Sequence, residues 1–80
     1  MDKAQIFAVV KKHMIDALDD IDGDKISLDH SMAEHYGATS LDMVSVVSGT
    51  MRELKIKIPR TAIKDIKTIG ELVELFEQNA

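Results

Sequence analysis

One side chain offers itself for chemistry. It is Ser40, in Gly37-Ala38-Thr39-Ser40-Leu41-Asp42-Met43-Val44. A serine that opens a helix is expected to act as its N-cap, its side-chain oxygen accepting from a first-turn N–H. Asp42 follows within that turn, where the helix dipole favours negative charge. Gly37 and Ala38 keep the approach slim and let the backbone turn. A large enzyme could therefore reach the Ser40 hydroxyl. On its own that hydroxyl is a weak nucleophile, because a serine needs an adjacent base. The histidines are His13, His30 and His35. None is close enough in sequence to argue a triad, no G-x-S-x-G elbow is present, and their spacing is not that of a metal site. His35, five residues before Ser40, reads as a surface-loop histidine. The run Asp19-Asp20-Ile21-Asp22-Gly23-Asp24 invites a calcium loop. With Gly23 as the turn glycine, however, Leu18 falls at the first ligand position and Asp29, not Glu, at the last. The run reads as a solvated acidic turn.

The elements that must position Ser40 are helical. Residues 3–18 carry Ile6, Val10, Met14, Ala17 and Leu18 at three- and four-residue spacing, with Phe7 beside them. A long loop over residues 19–39 follows, with Ile21, Ile26, Leu28 and Met32 expected to pin it to the core. The second helix is expected over 40–54. One of its faces carries Met43, Val46, Val47, Thr50 and Leu54; another carries Leu41, Val44, Ser48 and Met51, starting beside Ser40. A helix with two apolar faces is buried all round or offered to a partner, and so short a chain can hardly bury it all round. Gly49 weakens this helix but would permit a close approach by another. Lys55-Ile56-Lys57-Ile58 alternates like a strand and has no partner strand, so it reads as an extended connector with Ile56 and Ile58 turned inward. A short helix is expected over 60–65. Thr68 and Glu71 form a capping box opening a last helix over 68–78, with Ile69, Leu72, Val73 and Phe76 buried. The fold class is all-α: a small four-helix bundle of three long helices and one short, with a long loop between the first two long ones.

Gly37-Ala38-Thr39-Ser40-Leu41-Asp42-x-Val44, a helix, and then Ile56-Lys57-Ile58-Pro59 resemble an acyl carrier protein. The family pattern is G-x-D-S-L-D/E, a helix, and an Ile-x-Ile-Pro close, and the likeness covers essentially the whole chain. The resemblance implies one carrier domain over residues 1–80, with 4′-phosphopantetheine from coenzyme A attached at Ser40 by a phosphopantetheinyl transferase. The arm would carry acyl groups as thioesters, and the chain itself would be no enzyme. It also implies docking by residues around the serine: Thr39, Leu41, Asp42, Val44, Ser48, Met51 and Arg52. The residue before the serine is usually Asp and is Thr39 here. Carriers of the fatty-acid type present several acidic residues along the second helix and past the proline. Those places hold Ser45, Met51, Arg52 and Arg60 here, which implies a narrower partner set. The acyl-transferring and condensing enzymes implied are a ketosynthase or an HMG-CoA-synthase-like enzyme, since the chain somewhat resembles donor carriers of polyketide β-branching. The alternative is an unmodified helical interaction domain using the second helix.

Composition bounds these readings. Eighty residues leave no room for an enzyme active site with an ordinary substrate pocket. With no cysteine in the chain, thioester chemistry must borrow its sulfur. A net charge of −4 repels phosphate backbones, and aromatics limited to Phe7, Tyr36 and Phe76 give no stacking platform, so nucleic acid is not an expected partner. No run reaches transmembrane length and no apolar leader follows Met1, so a free-standing cytoplasmic monomer away from membranes is expected.

Overall fold

The computed structural model describes residues 2–18 and 20–80, so Asp19 of the acidic run lies outside the described residues. The helices are α1 (Lys3–Ala17), α2 (Met32–Tyr36), α3 (Ser40–Leu54), α4 (Arg60–Ile63) and α5 (Ile69–Gln78), with a 3-10 turn at Gly23–Lys25. The three long helices lie where apolar periodicity puts them. Each starts on a reciprocal cap. Asp2 caps α1 with Gln5, Thr39 caps α3 with Asp42, and Thr68 caps α5 with Glu71.

Their inner stripes meet in one core. Ile6, Val10 and Met14 of α1 pack with Val46 and Val47 of α3 and with Ile69, Leu72, Val73 and Phe76 of α5. Thr50 is fully buried among them, and its hydroxyl donates to the Val46 carbonyl at 2.8 Å, so that hydroxyl is not orphaned. At Gly49 the α1–α3 packing is tight: a Cβ there would lie 2.5 Å from Nδ1 of His13. The glycine that weakens α3 is what lets the His13 ring lie against its backbone.

The first connection is better ordered than the expected loop over 19–39. Ser31 caps α2 by accepting from the Glu34 N–H, Met32 is buried, and Gly37 ends the helix in the left-handed region at φ 66°. Ser31, Glu34 and Gly37 were the available signal for this helix. Ile26 is buried and Ile21 half-buried, while Leu28 stays exposed. Ile21, Ile26 and Met32 thus pin the connection to the core as expected, Leu28 does not, and two backbone hydrogen bonds add to the hold. Ile69 N–H donates to the His30 carbonyl at 2.9 Å and Gly70 N–H to the Leu28 carbonyl at 2.8 Å. These are first-turn donors of α5 that would otherwise have no partner. A Cβ on Gly70 would approach the Leu28 carbonyl to 3.0 Å, so glycine permits the contact.

After α3, Lys55 takes a left-handed turn and Ile56 and Ile58 are buried, with Lys55 and Lys57 outside, as the alternating pattern requires. The short helix ends at Ile63, two residues before the expected limit.

Candidate functional site

Ser40 is exposed, at the first residue of α3, and it is not the cap. Thr39 fills that role: its hydroxyl oxygen accepts from the Asp42 N–H at 3.2 Å, and Asp42 accepts from the Thr39 N–H at 3.0 Å. Both residues are good caps in isolation. Asp42 decides between them, because it stands three residues after Thr39 and can return the hydrogen bond. No hydrogen bond ties the Ser40 side chain to another described residue. The hydroxyl is at the tip of a rigid helix and not spent on holding it.

Beside Ser40 opens a groove of about 630 Å³, walled mainly by apolar side chains. Met32 and Ala33 come from α2, Met43 and Val44 from α3, and Ile63 and Ile66 from α4 and the turn after it. Thr39, Ser40 and Leu41 edge it on one side and Arg60, Lys64 and Lys67 on the other. It draws on residues from 32 to 68, so periodicity within single elements could not reveal it.

The residues expected to surround the site separate into two sets. Thr39, Leu41 and Val44 share the groove with Ser40. Leu41 is 79% and Val44 42% exposed, large values for apolar side chains. Asp42 is half-buried in the cap. Ser48 and Met51 are half-buried further along α3, and Met51 Sδ accepts from the Ile58 N–H at 3.3 Å. Arg52 is exposed on the last turn. The apolar stripe is thus open at the Ser40 end and partly covered at the other.

No histidine serves Ser40 as a base. His35 stacks on His30 with ring centres 4.3 Å apart, and its Nδ1 accepts from the Ser31 N–H at 3.0 Å. His30 is hydrogen-bonded to the Tyr36 hydroxyl. His13 lies across the α1–α3 contact, 3.0 Å from the Glu53 carboxylate. Glu53 also meets Lys12 at 2.9 Å, and hydrogen bonds from Lys12, then His13, hold its carboxyl below the ordinary value. Among the described residues the site offers a hydroxyl and a surface, with the three histidines engaged elsewhere.

Comparison with known proteins adds a family. The model of the phosphopantetheine attachment site matches residues 8–76. The polyketide biosynthesis acyl-carrier-protein AcpK of Bacillus subtilis is 33% identical over 76 residues, covering 95% of this chain and 92% of the relative. The acyl carrier protein of Sinorhizobium fredii is 38% identical over 69 residues, covering 86% and 87%. That of Porphyromonas gingivalis is 29% identical over 73 residues, covering 88% and 94%.

Proposed function

This chain belongs to the phosphopantetheine attachment family, as an acyl carrier protein, and from that footing we propose that its 80 residues form one carrier domain modified at Ser40 for polyketide-type biosynthesis. Members carry a covalently attached 4′-phosphopantetheine and are not themselves catalysts. A phosphopantetheinyl transferase and biosynthetic enzymes are the implied partners. When bound, the group supplies the thiol that the cysteine-free chain lacks, and acyl units ride on it as thioesters.

One observation carries the assignment to Ser40: an exposed hydroxyl at the first residue of α3, with the cap taken by Thr39, beside an apolar groove. The chain's part is to hold that oxygen still and clear of neighbours, so that a transferase can seat the α3 start and deprotonate it. The groove gives an arm rooted at Ser40 an apolar wall to lie against.

The polyketide assignment draws on the name of the Bacillus subtilis relative. Within it, a donor carrier for an HMG-CoA-synthase-like enzyme agrees with the scarcity of acid along α3, and a ketosynthase is the other condensing partner proposed. The place of work is the cytoplasm, where coenzyme A is at hand. No helix among the described residues is long and apolar enough to cross a membrane.

The test is intact mass after incubation with coenzyme A, Mg²⁺ and a broad-specificity transferase, followed by fragmentation. A single phosphopantetheine adduct on Ser40, missing in Ser40→Ala, is expected. Folded protein that takes no adduct from several transferases would overturn the reading.

A further inference from the structure

The charges at the end of α3 and in the segment after it are sorted. Residues 52–67 carry Arg52, Lys55, Lys57, Arg60, Lys64 and Lys67, all exposed. Among the described residues the ion pairs are Lys3–Glu77, Lys12–Glu53 and His13–Glu53, so none of the six meets a carboxylate within 4 Å. Arg60, Lys64 and Lys67 stand on the groove, and no Asp or Glu lines it. Asp65, Glu71 and Glu74 line instead a shallow depression between the α4 segment and α5, while Glu34 is exposed on α2 beside Ala33.

The two carboxylates of α3 are occupied inside the molecule. Asp42 closes the cap with Thr39, and Glu53 is held by Lys12 and His13. A chain of net charge −4 therefore presents cations beside its attachment point, reinforced by the positive end of the α3 dipole. Leu41 and Val44, apolar and exposed, line the same groove.

We infer that the biosynthetic enzymes serving this carrier meet it with an acidic surface, carboxylates set around an apolar patch that covers Leu41 and Val44. The inference rests on the carrier reading and adds the sign of the partner's charge. Guanidinium and ammonium groups that find no partner at home are matched by carboxylates across an interface, which raises encounter rate and rejects like-charged surfaces. The apolar pair supplies the desolvated centre that such a rim surrounds. An enzyme with a basic carrier-docking face would bring its cations against Arg60, Lys64 and Lys67.

The test needs no modification step. The Ser40→Ala chain is titrated against two forms of one transferase, chosen for a basic carrier-contact face: the enzyme itself and a variant with those cations changed to glutamate. The acidic form is expected to bind about tenfold more tightly at low salt, with the advantage shrinking as salt screens it. Arg60→Glu/Lys64→Glu/Lys67→Glu should invert the preference, and Val44→Asp should weaken both complexes, each variant keeping the parent's helical circular dichroism. Equal affinity, tighter binding to the basic form, or a preference indifferent to the triple change overturns the proposal. So would binding to phosphatidylglycerol vesicles that the triple change abolishes, if the two enzyme forms are not distinguished. Failure of the carrier reading is seen separately, as a missing adduct both on the unsubstituted chain and on the Arg60→Glu/Lys64→Glu/Lys67→Glu chain, whose groove no longer repels a basic transferase.

Discussion

At the scale of single residues, Thr39 and Ser40 divide two tasks that a reading of one residue at a time assigns to Ser40 alone. The cap and the reactive hydroxyl are neighbours and independent. Thr39→Ala should cost about 1 kcal/mol in urea denaturation. Ser40→Ala should stay within about 0.5 kcal/mol while ending all loading by mass. A larger loss from Ser40→Ala than from Thr39→Ala would return the cap to Ser40. Glu53 gives a pH dependence of definite sign. Its carboxyl titrates below the ordinary glutamate value in the folded chain because Lys12, then His13, donate to the charged form. The resulting stability is present above that pH and is lost as pH falls through the folded value. Midpoints of urea denaturation followed from pH 7 to about pH 3 should fall more steeply for the parent than for Glu53→Gln. Parallel curves would show that the contact contributes nothing.

At the scale of elements, the three long helices were legible because each combines an apolar period with a capping residue. Thr68 and Glu71 announce α5, and both the box and the buried stripe stand in the structure. The five-residue α2 is too short to show a period, so only its end signals, Ser31 with Glu34 and Gly37, could have announced it. It owes its place to Met32 entering the core and to α5 donors grasping the chain just before it, contacts that span about forty residues of sequence. The groove escaped for the same reason. Leu41 and Val44 could be marked as an exposed pair from α3 alone, but the opposite wall comes from Ile63 and Ile66. The α1–α3 contact makes a sharper test. Gly49→Ala improves helix propensity by about 1 kcal/mol yet drives a methyl into the His13 ring. Overpacking of this kind costs about 1–3 kcal/mol, and the ring is held by Glu53, so net destabilisation is expected. With His13→Ala the same change should become stabilising. A double-mutant cycle by thermal denaturation reads the reversal, and a cycle with no coupling would mean that the ring simply swings away.

At the scale of the whole molecule, eighty residues fold around a core with little to spare. Phe76 is the largest fully buried side chain and belongs to the same cluster as Ile6, Val46 and Ile69. Phe76→Ala should cost about 3–5 kcal/mol, a large part of the stability of so small a domain. Urea denaturation should show a midpoint near zero or no folded baseline, and a shift under 1 kcal/mol would place the core elsewhere. The hold of α5 on the first connection also sets an order in time. A nascent chain that stops before Ile69 has no donors to offer the Leu28 and His30 carbonyls. The segment leading to Ser40 then lacks these two ties until α5 has been made, so the finished attachment surface waits on a helix that begins about thirty residues after the serine.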